Sequence, residues 1–190
     1  MNLANIKWVF FDIGSTLVDE SIACRNRIER MITNTDISYD EFYQRMFEIS
    51  KHDQNAYKAV IEEYGLKKAP WNSEDEIKYL EAENALRVLS KRYRIGIIAN
   101  LELGSEKRLK KLGILKYIHL VIASAEEGVS KPDLRIFQIA RDRAYCKLEE
   151  AVMVGDRIDN DIIPANKIGM TTVWIKQGFS GLSTPKKAIE

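Results

Sequence analysis

Apolar positions in this chain occur in two patterns: short unbroken runs, and single residues spaced three or four apart. Trp8, Val9, Phe10 and Phe11 form the first run, closed by Asp12 and the Gly14-Ser15 turn, which predicts a strand buried on both faces. Residues 95–99, 119–123, 151–155 and 171–175 repeat the pattern, and between them 105–112, 133–144 and 161–168 show helical spacing. Gly113 and Gly169 stand where two of those helices should end. Residues 17–79 carry no strand pattern. Ile22, Ile28, Met31 and Ile32 share a helical face in 21–36, and Ser38 with Glu41 has the form of a capping box ahead of Phe42, Met46 and Ile49. Tyr57, Val60, Ile61 and Tyr64 extend the period to Gly65, and Pro70-Trp71-Asn72 breaks the chain. Ser73 and Glu76 form a second capping box, which predicts a helix through Ile77, Leu80, Leu86 and Leu89 to about Tyr93, with a boundary near 80–85. A strand, a block of helices and then repeated β-α-β units predict an α/β fold, a doubly wound parallel sheet with an inserted α-helical cap. The expected division is a core of residues 1–18 and 80–190 and a cap of residues 19–79. Residues 177–190, rich in Gly, Ser, Pro and Lys, read as a surface tail.

Composition narrows the class without naming it. With 190 residues and 45% hydrophobic content the chain is large enough for a buried core. Lys and Arg total 29 against 28 Asp and Glu, so a net charge of +1 gives no overall attraction for nucleic acid or an anionic membrane. Cys24 and Cys146 are far apart and without ligand-spaced neighbours, which argues against zinc and a disulfide framework and suits a reducing compartment. The apolar run 8–11 is too short for a membrane span or a signal core. These features predict a soluble, cytoplasmic protein; oligomeric state is left open.

Parallel strands bring their carboxyl ends to one edge, where open α/β sheets bind ligands. Asp12, Asn100 and Asp156 all end predicted strands and should therefore converge. Taken alone, Asp12 suits a nucleophile toward phosphorus, a hard ligand for Mg²⁺, or a cap of its turn. Lys131, kept out of helical conformation by Pro132, adds a cation able to offset clustered carboxylates or grip phosphate, and Asp133 can begin the next helix. Asp156, Asp159 and Asp161 make an acidic loop whose oxygens suit Mg²⁺.

These residues resemble the haloacid dehalogenase superfamily over nearly the whole chain, from Trp8 to about Phe179. Residues 11–18 are similar to the first motif, with Asp12 at the nucleophile position; Asn100 lies in the second, residues 130–133 resemble the third and 155–161 the fourth. The resemblance implies a Rossmann-like core, Mg²⁺ as cofactor and a phosphatase for a small phosphorylated metabolite. The phosphoryl group would pass to Asp12 and then to water. Asp12, Asp156 and the Gly14 carbonyl would hold the metal, with Asp161 a ligand or just behind the ligands. Lys131 would act with Asp12 in catalysis, and Lys131, Asn100, Ser15 and Thr16 would contact phosphate. Two positions depart from the pattern: Gly14 stands where such phosphatases carry an acid/base Asp, and Ala99 where a Ser or Thr is common. His52, Asp53, Asp19 and Glu20 are candidates for the missing group. The departures leave two alternatives, a binding or regulatory module of the same fold and a dehalogenase, which needs no metal.

Overall fold

The run Trp8–Phe11 forms β1, with all of its residues buried. The computed structural model describes residues 3–51 and 55–178. After β1 come the two-residue strand β2 (Val18–Asp19) and helices α1 (Ser21–Ile32), α2 (Tyr39–Ser50) and α3 (Ala56–Glu63). Strand β3 (Ile77–Lys78) and helix α4 (Leu80–Leu89) return the chain to the sheet. Alternation then follows: β4 (Arg94–Ala99), α5 (Ser105–Lys111), β5 (Leu120–Ala123), α6 (Ser124–Glu127), α7 (Leu134–Ala144), β6 (Ala151–Gly155), α8 (Ile163–Lys167) and β7 (Thr171–Trp174).

Five strands make one parallel sheet in the order β5-β4-β1-β6-β7. Strands added on one side of β1 run outward through β4 and β5, and the chain then crosses back to add β6 and β7 on the other. The carboxyl end of β1 is therefore the point where the winding reverses, the place open α/β sheets reserve for ligands. Side chains of β1 alternate between two cores. Val9 and Phe11 pack with Ile95, Ile97, Leu86 and Leu109 on one face; Trp8 and Phe10 pack with Ile98, Met153, Ile136 and Phe137 on the other. Burial on both faces explains why these strands read as unbroken apolar runs.

The helical insertion has an apolar cluster of its own, in which Ile28, Phe42, Met46 and Val60 meet. Ser38 accepts from the Glu41 N–H at 3.1 Å, as its capping pattern predicts. Ile22, expected on the buried face of α1, is exposed and borders the cavity described below.

Three expectations between residues 17 and 93 and beyond need correction. The stretch 17–79 does contain strand: β2 and β3 pair antiparallel at the root of the insertion, fixed by the Ser15 N–H on Val18 O at 2.8 Å and the Tyr79 N–H on Leu17 O at 3.1 Å. Two residues per strand are too few to show alternation. Ser73 and Glu76 do not cap a helix. Asn72 caps a 3₁₀ turn, Ser73–Asp75, and α4 begins only at Leu80, which is exposed. Glu76 is drawn away by charge-assisted bonds from Arg108 and by the Trp71 indole N–H, which outmatch a reciprocal cap bond. The helix expected over 161–168 is a π-turn, Ile158–Ile162, followed by α8, in whose first turn Pro164 lies.

Candidate active site

Asp12 follows β1 directly, its N–H continuing the ladder to Val154 O at 2.9 Å. Its Oδ1 accepts from Lys131 Nζ at 2.6 Å, and the same ammonium donates to Asp161 Oδ1 at 2.5 Å. The Lys131 side chain is almost wholly buried. Asn100 fixes the Lys131 backbone from both sides, accepting its N–H on Oδ1 at 2.8 Å and donating from Nδ2 to its carbonyl at 2.9 Å. Asp161 is held by the π-turn that precedes α8 and accepts the Arg157 N–H on Oδ2 at 3.0 Å. Such turns recur where a side chain must be re-aimed at a site. Asp12, Asp156 and Asp161 each offer a carboxylate oxygen within 4.8 Å of the others. Clustered hard oxygens of this kind fit Mg²⁺ or a similar cation, and Lys131 alone cannot neutralise three carboxylates.

Burial alone would lower the Lys131 ammonium, but the charges of Asp12 and Asp161 outweigh it and hold Lys131 above the usual lysine range. Burial pushes the Asp161 carboxyl above the usual aspartate range, against the pull of Lys131. Glu20, near Asp12, is raised as well. Burial, then the Asp12 charge, push it up to about 7; Arg108 pulls the other way, while Glu76 and Asp19 add to the rise.

One cavity joins this edge to the helical insertion: Asp12, Lys131 and Asp156 line it together with Tyr43, Phe47 and Tyr57. Gly14, Ser15, Asn100 and Asp161 border it as well. Thr16, expected at phosphate, is not among the lining residues, and its Oγ1 is buried without a hydrogen-bond partner. Ala99 is buried in the core. Asn100 has a role closer to Lys131 than to phosphate, although one amide hydrogen is left to reach a ligand. Asp19 is engaged at the start of α1, where it accepts the Ser21 N–H at 2.8 Å. His52 and Asp53 lie outside the described residues. Sequence reasoning missed Arg108 and Glu76. Arg108 Nε donates to Glu76 Oε2 at 2.7 Å and its Nη2 to Oε1 at 2.5 Å, and Nη2 lies 3.6 Å from Glu20 Oε1. A basic residue in a short surface-patterned helix gives no signal of such a partner.

A central parallel strand ending in a carboxylate, with a buried lysine from one loop and an acidic loop from another, defines a hydrolase of the haloacid dehalogenase type. Residues 9–175 match the family described as haloacid dehalogenase-like hydrolase, and the chain belongs to that family. It is similar to the glyceraldehyde 3-phosphate phosphatase of Pyrococcus furiosus, 31% identical over 202 residues that cover 93% of this chain and 83% of that protein. The glyceraldehyde 3-phosphate phosphatase of Pyrococcus abyssi is 33% identical over 196 residues, covering 91% and 82%. Among solved structures, a HAD phosphatase from Thermococcus onnurineus superposes with a TM-score of 0.62 at 25% identity, covering 90% of this chain and 86% of that one. No helix among the described residues is long and apolar enough to cross a membrane.

Proposed function

We propose that the protein is a Mg²⁺-dependent phosphatase for a small phosphorylated metabolite, working through an aspartyl-phosphate on Asp12. The observation that carries this is the clamp on Asp12. Lys131 holds Oδ1, which leaves Oδ2 as the attacking atom. In the first step Oδ2 bonds to phosphorus as the ester P–O bond breaks and its electron pair leaves with the alcohol oxygen. In the second, water attacks phosphorus and the pair of the P–Oδ2 bond returns to Asp12. Lys131 keeps the carboxylate oriented and offsets the charge gathered around it. Asp12, Asp156 and the Gly14 carbonyl would hold the cation, with Asp161 alongside, and a bound Mg²⁺ would neutralise phosphoryl charge. Residues 19–79 serve as a cap over residues 1–18 and 80–190, which suits the shared cavity and would exclude water during transfer.

The relatives named glyceraldehyde 3-phosphate phosphatase make a three-carbon phosphate ester the first substrate to try. Phosphate release from glyceraldehyde 3-phosphate and from a panel of sugar and triose phosphates, with Mg²⁺ and with EDTA, tests the proposal, and Asp12→Asn is the blank. Release that needs both Mg²⁺ and Asp12 is the expected result. Chloride release from a haloacid without phosphate release would favour the dehalogenase. Absence of both, with no phosphorylated protein by intact mass, would leave the binding module.

A further inference from the structure

Breaking an unactivated phosphate ester puts a full charge on the leaving oxygen unless a proton reaches it, and the water of the second step must lose one. Lys131 is committed to two carboxylates, and both Asp161 oxygens are already bonded. Gly14, two residues beyond Asp12, has no side chain. The space beside it is nevertheless filled by a carboxyl group. A Cβ built on Gly14 would lie 2.3 Å from Glu20 Oε2, 2.5 Å from Cδ and 2.6 Å from Oε1. Gly14 does not sit at positive φ, so the obstacle to a side chain there is Glu20 and not the backbone.

Two further observations leave this carboxyl available. Glu20 occupies the N-cap position of α1 without making a side-chain cap bond, and the N–H of Ser21 beside it is taken by Asp19. Arg108 stands 3.6 Å from Glu20 Oε1, but its guanidinium is gripped by the buried Glu76 and orients Glu20 without closing on it. Glu20 and Asp12 border the same cavity.

We propose that Glu20 is the acid and base of this site, its carboxyl reaching over Gly14 from the start of the helical insertion. The assignment rests on the phosphatase reading above. In the first step the Glu20 carboxyl gives its proton to the ester oxygen as the P–O bond breaks, leaving a carboxylate. In the second it takes a proton from the attacking water, and the P–Oδ2 bond breaks to release inorganic phosphate and free Asp12.

The test compares glyceraldehyde 3-phosphate, a poor leaving group, with acetyl phosphate, whose leaving group needs no proton. Both are run in Mg²⁺ with phosphorylated Asp12 followed by intact mass. Glu20→Gln should lose 10²–10⁴-fold in turnover of glyceraldehyde 3-phosphate yet still be phosphorylated by acetyl phosphate, and the adduct should persist longer than in wild type. Moving the carboxyl in the paired change Gly14→Asp with Glu20→Ala should recover at least about tenfold over Glu20→Ala alone. This second comparison guards against a Glu20 variant that fails to fold. Turnover in Glu20→Gln within about threefold of wild type would overturn the assignment. So would equal losses with both donors together with no recovery in the paired change. Wild-type protein that takes no phosphoryl from acetyl phosphate would overturn the phosphatase reading itself, and Glu20's role with it.

Discussion

Lys131 shows how one side chain can hold a site together and set its charge. Its ammonium bridges Asp12 and Asp161 from an almost wholly buried position, so removing it leaves two carboxylates facing each other without a counter-ion. Breaking one partner from a buried ion pair typically costs about 3–5 kcal/mol. Lys131→Met should lose stability on that scale in urea unfolding with EDTA. Mg²⁺ at about 100 times its Kd should return about 2.7 kcal/mol, because the cation binds only the folded protein. Equal stability of the variant and wild type in EDTA would contradict the ionic account of the clamp. Asp12 and Asp156 were legible in the sequence because each follows a strand whose apolar run fixes its place on the sheet edge, and Lys131 because Pro132 holds it in a loop ahead of α7. Glu20 was legible only as one of several acids near the first motif. Its contact with Gly14 joins the start of α1 to the turn after β1, and such a tertiary contact has no local sequence signature. Pro164 did carry a readable signal: inside a helix starting at Asp161 it would be an interruption, whereas it fits the first turn of a helix starting later.

At the scale of elements, the centre of the sheet was readable because burial on both faces leaves β1 and β6 without polar side chains, and one register pair between β1 and β4 is closely packed. Phe10 faces Gly96 across β1 and β4, and a Cβ on Gly96 would meet the Phe10 ring at 2.4 Å. Gly96→Ala should therefore cost about 1–3 kcal/mol by overpacking, and pairing it with Phe10→Leu should recover part of the loss. Thermal unfolding of the two variants measures this, and an unperturbed Gly96→Ala would show that the ring can move aside. The helical insertion has its own reporter in Tyr57, whose hydroxyl approaches Met31 Sδ at 3.6 Å. Burial pushes this phenol up to about 12, against the opposing pull of Arg27. Raising the folded value above the ordinary one near 10 favours the protonated form in the folded state. The contribution is thus complete below pH 10 and is lost as the pH climbs towards 12. Partial exposure screens it to on the order of 1 kcal/mol. Tyr57→Phe should flatten that part of the alkaline fall, read as unfolding free energy at pH 9 and pH 11.5. An unchanged slope would place the phenol in water.

Across the whole molecule, the insertion and the sheet layer are tied by ion pairs that the sequence could not disclose. Arg108 belongs to α5, which packs on the sheet, while Glu76 lies just before β3 at the root of the insertion. The Glu76 side chain has 0% exposure, so its charge depends on the Arg108 guanidinium and the Trp71 indole N–H. Lys111 of the same helix also pairs with Glu74, but that pair is half exposed and contributes little. If Arg108 and Glu76 hold the cap against the core, Arg108→Met should cost about 3–5 kcal/mol by leaving Glu76 buried and unpaired. Adding Glu76→Gln should return much of it, since the pair shares one partner network. The damage should also be local. Hydrogen exchange should quicken at β2, β3 and through α1 to α3 well before it does in β1, β4 and β6, because the sheet has two cores of its own. Uniform loss of protection across cap and sheet would mean that the two parts unfold as one unit and that the proposed division at residues 19–79 has no energetic basis.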